Sequence, residues 1–167
     1  KPDPKKNIVP PYSIIHNVDG LLTVTNSNFI DNKASYLFYV EGSDFRMEGG
    51  KITQNSGEEL FYFDDSESDI TGVTITENQA GVMNVKNDHE IVNLIECVLG
   101  NNTPNDNNAA VELDKAGNLI MIDCVLGDTT FSNTQYVKIT TSEVTREEAV
   151  IGIELLSEDG TVDSVRY

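Results

Sequence analysis

The sequence predicts an all-β fold, a parallel β-solenoid of about five coils in which one unit repeats along the chain. Three observations support this: an asparagine recurs at a fixed interval, apolar residues alternate with polar ones, and the connecting segments are short and polar. The interval is constant, because 55 − 32, 78 − 55 and 101 − 78 all equal 23 for Asn32, Asn55, Asn78 and Asn101. An antiparallel sandwich also has many short strands, but nothing in it requires a constant interval.

The chain begins with a proline-rich segment. Four of the five prolines lie among the first eleven residues, and proline removes the N–H that a strand ladder needs. Residues 1–19 are therefore predicted to form an arm or an N-terminal cap. An alternative interpretation makes residues 12–20, YSIIHNVDG, an incomplete first coil.

Residues 20–140 are predicted to form the solenoid. The units that end at the recurring asparagine read LTVTNSNFIDN, FRMEGGKITQN, SDITGVTITEN and IVNLIECVLGN, and a fifth, NLIMIDCVLGD, ends at Asp128. The polar tract NTPNDNN at 102–108 lengthens the last interval and is predicted to be an inserted loop. A shift of one residue in the last two units places Asn102 and Thr129 in the asparagine column instead, so both registers stay open.

Apolar residues within each unit are spaced i, i+2, which is the periodicity of strands. Each unit is therefore predicted to contain strand, turn, strand and turn, with the asparagine at a corner. Asparagine tolerates the left-handed backbone region, and its amide can bond to the coils above and below. One column of apolar pairs continues from coil to coil as Leu37/Tyr39, Leu60/Tyr62 and Met83/Val85.

The period fades after Asp128. TQYVKIT at 134–140 can complete a fifth coil, and residues 141–167 are predicted to form a C-terminal cap or docking segment. Its pattern favours a β-hairpin that turns at 158–160, with a short helix starting from TREE at 145–148 as the alternative. A solenoid exposes a sheet edge at each end, so each end must be capped or must dock on a neighbour.

The pattern FIDN at 29–32, followed by ITQN and ITEN, resembles the F-x-x-N repeat of the chlamydial polymorphic outer-membrane proteins and related β-helix repeat proteins. The resemblance covers residues 20–130, and the companion G-G-A-[ILV] motif of that family is essentially missing. It implies a right-handed, single-stranded parallel β-helix that is extracellular or at the cell surface and often adhesive. The family has no shared catalytic residues to carry over.

The charge is strongly negative, since 28 acidic residues face 11 basic ones and give a net charge of −17. Such a surface repels phosphate, which argues against nucleic acid as a partner, and no apolar stretch is long enough for membrane insertion. A protein partner or self-assembly is expected, and a glycan remains possible. Cys97 and Cys124 occupy equivalent positions in neighbouring units, where parallel side chains disfavour a disulfide without excluding it.

A surface for partner binding follows from the alternation of side chains. If Leu37 and Tyr39 point into the solenoid, the residues beside them point outward and form an aromatic patch on neighbouring coils. The alternatives are that the two faces are inverted or that the C-terminal segment covers the patch. The predicted surface for a protein partner or a stacked sugar consists of Tyr36, Phe38, Val40, Phe61 and Phe63.

Acidic residues also recur at the interval of the repeat. Clustered carboxylates are ligands for Ca²⁺, although no recognised calcium-binding motif is present and the side chains can instead splay into water. Asn101, in NNT at 101–103, belongs to the N-x-[ST] sequon of the sequence and is a candidate glycosylation site. The candidate calcium ligands are Asp44, Asp64, Glu67 and Glu90.

Catalysis is not expected. Enzymes built on β-helices need paired carboxylates beside a base, and the basic residues of this chain form no column. His16 and His89 lack the spacing of metal ligands or catalytic pairs. The sequence therefore predicts a non-catalytic structural or interaction module that needs no cofactor apart from a possible Ca²⁺. The alternative is a carbohydrate-active β-helix, either a glycan-binding domain or a polysaccharide lyase or glycoside hydrolase.

Overall fold

The computed structural model describes residues 12–86, 91–105, 109–113, 118–132, 136–142 and 150–156. These residues form a parallel β-solenoid of about four turns, which confirms the predicted fold class. The sequence predicted about five turns, so the predicted number is slightly too high. Within the same residues, no helix is long and apolar enough to span a membrane.

Thirteen strands follow one another along the described parts of the chain. The first two are long because each runs through two corners of the solenoid without losing its pairing. They are β1 (Ser13–Ile30), β2 (Tyr36–Thr53), β3 (Ser56–Asp64), β4 (Ser68–Thr71), β5 (Thr74–Thr76), β6 (Gln79–Lys86), β7 (Ile91–Ile95), β8 (Val98–Gly100), β9 (Val111–Leu113), β10 (Asn118–Ile122), β11 (Phe131–Ser132), β12 (Tyr136–Ser142) and β13 (Val150–Leu156).

The parallel strands stack into three faces. The first face contains the start of β1 and β2, followed by β3, β6, β9 and β11. The second contains the middle of β1 and β2, followed by β4, β7, β10 and β12. The third contains the end of β1 and β2, followed by β5 and β8.

Most of the described corners bend at one residue with positive φ, and one corner of β2 has two, Gly49 and Gly50. Between the third and first faces the residue with positive φ precedes Asn32, Asn55 and Asn78, so these three asparagines do not themselves take the left-handed conformation that asparagine tolerates, whereas Asn101 does. Asparagine, aspartate and glycine adopt it at low cost, whereas Gln54 and Glu77 do so against their preference. At this corner, called the third corner below, the left-handed residues are Asp31, Gln54, Glu77 and Asn101, with φ of 57°, 58°, 60° and 53°.

The asparagine column forms a continuous ladder of side-chain hydrogen bonds, as predicted. The backbone N–H and side-chain amide of Asn55 both donate to Asn78 Oδ1, at 2.9 and 3.0 Å. Asn32 donates to Asn55 in the same way, and Asn78 donates to Asn102. The ladder therefore continues through Asn102 rather than Asn101, which settles this position in favour of the shifted register.

The core is a stack of apolar side chains from neighbouring coils. On the first face, Phe38 pairs with Phe61 at a ring-centroid distance of 5.1 Å, and Phe61 pairs with Met83. The same inward column continues to Val111 on β9. These side chains are 0% exposed, and the same core cluster also contains inward side chains of the second and third faces, such as Met47 and Ile52.

This packing corrects the predicted orientation of the first face. Ser56 pairs with Gln79, an interval of 23, but Glu59 pairs with Gly81, an interval of 22. At this point β6 therefore has one residue fewer than β3. Met83 therefore aligns with Phe61 rather than with Leu60. The predicted orientation is wrong for Tyr39 and Tyr62, which are partly exposed, whereas the other residues predicted to point inward are buried: Leu37, Leu60, Met83 and Val85. Four of the residues predicted to point outward are fully buried: Phe38, Val40, Phe61 and Phe63.

The two ends differ in their pairing. β1 begins at Ser13, which pairs with Tyr36, so residues 13–20 belong to the first coil, as the alternative interpretation has it. At the other end β13 pairs with β12 in the antiparallel direction, consistent with a capping strand. The N-terminal arm at 1–11, the possible helix at 145–148 and the turn at 158–160 lie outside the described residues.

Candidate functional site

A column of side chains runs along the outer side of the first face. The register aligns His16, Tyr39, Tyr62, Asn84 and Glu112 on successive coils. The rings of Tyr39 and Tyr62 stack at a centroid distance of 4.7 Å with an angle of 8° between their planes. His16 contacts Tyr39 edge-on at 4.8 Å. Because the ring faces contact one another, this column offers ring edges and hydroxyl groups to a partner rather than open ring faces.

Tyr36 completes this aromatic group, which we call the tyrosine stack (Tyr36, Tyr39 and Tyr62). Its ring lies 5.1 Å from Tyr62 and 5.6 Å from Tyr39, and its hydroxyl donates a hydrogen bond to Glu58 Oε2 at 3.1 Å. Burial and the Glu58 carboxylate raise the pKa of Tyr36 well above its usual range. The phenol is therefore a neutral hydrogen-bonding group at physiological pH.

Beside the tyrosine stack lies a buried carboxyl group, that of Glu59. Glu59 pairs with Tyr36 on one side and Gly81 on the other, and it is 7% exposed. Its carboxyl group fills the space above Gly81, where a Cβ would collide with it. Within the described part of the chain, Glu59 Oε2 has no hydrogen-bond partner.

The electrostatic surroundings keep this carboxyl group protonated at neutral pH. Burial raises the pKa of Glu59 to about 8, the negative charges of Glu112 and Glu58 add to the effect, and Lys86 opposes it. Glu112 accepts a hydrogen bond from the side-chain amide of Asn84 at 3.3 Å. Glu59 and Glu112, called the carboxyl pair below, thus combine a buried protonated acid with a second acidic group two coils away, in the outer column of the first face.

A second feature is an open groove of about 540 Å³ at the third corner, which we call the corner groove. The inserted loop predicted at 102–108 contributes one wall, because the side-chain amide of Asn105 donates to the carbonyl of Gly57 at 2.6 Å. The lining residues come from several coils and are Tyr12, Lys33, Ala34, Ser35, Ser56, Gly57, Glu58, Gln79 and Asn105.

The structure places one of the predicted partner-binding residues at the surface and the other four in the core. Tyr36 lies at the outer surface, in the tyrosine stack, where it remains a candidate contact. The other four are packed inside the solenoid and contact no solvent, so their predicted role at a surface is wrong. They are Phe38, Val40, Phe61 and Phe63.

The candidate calcium ligands fall on different surfaces. Asp64 is on the outer side of the first face, paired with Glu41 and Lys86, whereas Asp44 and Glu67 lie beyond the next corner and are exposed. Glu90 lies outside the described residues. Among the residues that are described, no group of three or more histidine, cysteine or acidic side chains could hold a metal ion.

Asn101 is exposed at the third corner, and its backbone N–H donates to Asp128 Oδ1 at 2.6 Å. Its glycosylation stays a prediction. Cys97 and Cys124 are free thiols that are both buried, and each Sγ donates to carbonyl oxygens of the strand before it and of the neighbouring coil. A hydrogen bond with the Cys124 thiol and burial raise the pKa of Cys97.

Sequence reasoning missed Glu59, Asn84 and Glu112. The signal that could have revealed them is Gly81, the residue that falls beside Glu59 once the lost residue is accounted for. A glycine in a column of large side chains indicates that a neighbour occupies its space. Comparison of the chain with protein families, curated proteins and solved structures finds no match in any of the three.

Proposed function

We propose that this protein is a non-catalytic interaction module, a rigid acidic β-solenoid that presents the outer side of its first face to a protein partner for assembly or adhesion. The observation that supports the proposal is the tyrosine stack, together with the acidic side chains that surround it. Tyrosine is enriched at protein interfaces because it combines apolar area with a hydrogen-bonding tip. The bordering side chains are Glu41, Glu58, Asp64 and Glu112.

The geometry of the rings favours a protein over a sugar at this face. A sugar stacks on an open ring face, but here the faces of Tyr39 and Tyr62 contact each other. Hydroxyl groups and ring edges suit the side chains and backbone of a protein surface. The stack is also preordered by its packing, so binding costs little side-chain entropy.

The charge of the chain indicates a basic partner. A net charge of −17 attracts a positive surface over a distance that salt limits to about 8 Å at physiological ionic strength. Binding is therefore expected to weaken as salt is added. The extracellular or cell-surface location, the right-handed coil and the relation to the chlamydial F-x-x-N repeat are parts of this proposal that rest on the sequence motif.

The test compares two double variants in surface plasmon resonance against a panel of basic extracellular proteins and against the chain itself. Tyr39→Ser with Tyr62→Ser removes the stack, whereas Arg46→Ser with Glu48→Ser removes two exposed side chains of the second face at unchanged net charge. We expect binding that weakens about tenfold or more in the first variant and is unchanged in the second. Equal binding by both variants would contradict the proposal.

A second candidate function is favoured by the carboxyl pair. Hydrolysis of a glycosidic bond uses one protonated and one ionised carboxyl group, and Glu59 holds its proton at neutral pH. This alternative, a carbohydrate-active enzyme, is tested by measuring reducing ends or unsaturated products released from neutral and acidic polysaccharides. Turnover that Glu59→Gln abolishes and that the neighbouring Glu58→Gln retains would favour the enzyme over the interaction module.

A further inference from the structure

The corner groove is built by the part of the chain that departs from the repeat. Lys33, Ser56 and Gln79 come from successive coils, so the groove runs along the solenoid axis across about 10 Å. Asn105 belongs to the insertion and closes over Gly57. A repeat of constant length has no wall at this place, and the insertion therefore turns an open corner into a concave site.

The charge of the lining is balanced, unlike that of the whole chain. Lys33 and Glu58 carry opposite charges, and the other lining side chains are neutral. The acidic surface of the protein repels an anion, and the acidic side chain of the lining, Glu58, is balanced by Lys33 and already accepts a hydrogen bond from Tyr36, so the lining offers a cation no unpaired charge. A neutral ligand fits this balance.

The backbone around the groove is already paired between coils, which excludes strand addition. The N–H groups of Ala34 and Ser56 donate to carbonyl oxygens of the adjacent coils, at 3.1 and 2.9 Å. Those of Glu58 and Gln79 do the same at 2.8 Å each. An extended peptide that binds by β-augmentation needs free backbone groups. The groove instead presents side-chain hydroxyls and amides, which match a ligand rich in hydroxyl groups.

An exposed aromatic ring stands at one end of the groove. Tyr12 is 71% exposed, and none of the ring contacts among the described residues involves it. Within the part of the chain that the structure describes, its face is therefore open, in contrast to the faces within the tyrosine stack. The volume of about 540 Å³ lies in the range of small-molecule sites, about 300–1,000 Å³.

We propose that the corner groove is a binding site for a short, neutral, linear oligosaccharide. One sugar ring packs on Tyr12, and the next sugars along the solenoid axis exchange hydrogen bonds with the hydroxyls and amides of Ser35, Ser56, Gln79 and Asn105. Glu58 lies between this site and the tyrosine stack, but the sugar-binding groups named here lie outside the stack, and the proposal does not depend on the function proposed for that surface.

The experiment is isothermal titration calorimetry of the full chain with defined probes. The neutral probes are cellohexaose, xylohexaose, chitohexaose and maltohexaose, the anionic probe is hexagalacturonate, and the peptide probe is hexalysine. We expect at least one neutral probe to bind and hexagalacturonate not to bind. If hexalysine or hexagalacturonate binds in the groove and no neutral probe does, the proposal is wrong, and it is equally wrong if none of the probes binds.

Matched variants locate the binding. Tyr12→Ala and Gln79→Ala are expected to raise the Kd of the neutral probe about tenfold or more, whereas Tyr12→Phe, which keeps the ring, changes it little. Asn28→Ala removes an exposed amide from the third face and is the control. Urea unfolding of each variant checks the fold. A neutral probe whose Kd is unaffected by Tyr12→Ala and Gln79→Ala binds elsewhere, which overturns the assignment of the groove.

The variant Tyr39→Ser with Tyr62→Ser separates this site from the proposed interaction surface. We expect it to bind the neutral probe as the unmodified chain does. Loss of sugar binding in this variant would contradict a separate groove, whereas loss of protein binding alone bears only on the tyrosine stack.

Discussion

The burial of a single residue, Glu59, makes an unfavourable contribution to the folding free energy of this protein. Its carboxyl group is buried, lacks a partner for Oε2 among the described residues and lies near the carboxylates of Glu58 and Glu112. Burial with so little compensation normally destabilises a folded state. Side chains that carry such a cost are often retained for binding or catalysis, so the energetics of Glu59 bear on both candidate functions.

The stability of the protein is predicted to fall between about pH 4.5 and pH 8 because of Glu59. Its pKa rises from 4.5 in the unfolded chain to about 8 in the fold, so over this interval the unfolded state ionises first and is favoured as the pH rises. Glu59→Gln removes this effect. Urea unfolding should show equal stability of both proteins below pH 4.5 and an advantage of roughly 2–5 kcal/mol for the variant above pH 8.

The control for this measurement is Glu48→Gln, which makes the same chemical change at an exposed position of the second face, away from Glu59. Its difference from the unmodified protein should be small at every pH. Parallel stability curves for Glu59→Gln and the unmodified protein would show that Glu59 is ionised in the fold.

The asparagine ladder is a second feature whose energy depends on individual residues. Asn78 is 1% exposed, and its side-chain amide donates to Ile52 O, Thr76 O and Asn102 Oδ1. Asn78→Ala leaves these acceptors and the donors of Asn55 without partners, so we expect a loss of about 3–5 kcal/mol in the free energy of unfolding. The exposed Asn28→Ala should cost less than about 1 kcal/mol in the same urea titration. A loss below 1 kcal/mol for Asn78→Ala would mean that water replaces the ladder.

At the scale of the strands, the constant interval predicted the stacking but not which side chains face inward. In β2 apolar residues occupy both odd- and even-numbered positions, since Leu37 and Phe38 are adjacent and both buried. A strict alternation cannot hold across such a pair, and the one-residue loss before Gly81 moves the register again. Orientation could therefore not be read from spacing alone, because a shift of one residue exchanges the two faces.

The same reasoning explains why the candidate site was found only in part. Tyr36 and the inserted loop were visible in the sequence, the first as an aromatic residue of the repeat and the second as a break in it. The burial of Glu59 and its proximity to Glu112 depend on contacts between coils separated by more than one turn. Local patterns do not contain that information.

The aromatic core of the first face supports an element-scale prediction. Phe61 stacks with Phe38 at 5.1 Å and with Phe63 at 5.7 Å, and it is fully buried between neighbouring coils. Phe61→Ala opens a cavity in the middle of the stack, so we expect a loss of about 3–5 kcal/mol in the free energy of unfolding. Phe61→Leu, which keeps most of the volume, should cost less than half as much in the same urea unfolding experiment. Equal costs for both variants would indicate that the rings contribute through their shape rather than through filled volume.

At the scale of the whole molecule, the charge of the chain opposes its own compactness. A net charge of −17 spread over stacked coils places like charges within a Debye length of one another. The outward carboxylates of neighbouring coils, such as Glu41 and Asp64, lie directly opposite each other in the register. Added salt screens this repulsion and stabilises the fold.

Salt is therefore predicted to act in opposite directions on stability and on partner binding. Between about 10 and 300 mM NaCl, the screening length falls from about 30 Å to less than 8 Å, and the urea midpoint of unfolding should rise. Over the same range, the affinity for a basic partner should fall, because the attraction of opposite charges is screened as well. KCl is the control for effects specific to sodium and should give the same curves. An unfolding midpoint that stays constant or falls with salt would mean that the acidic residues are compensated within the fold, and a basic partner would then have no excess negative field to recognise.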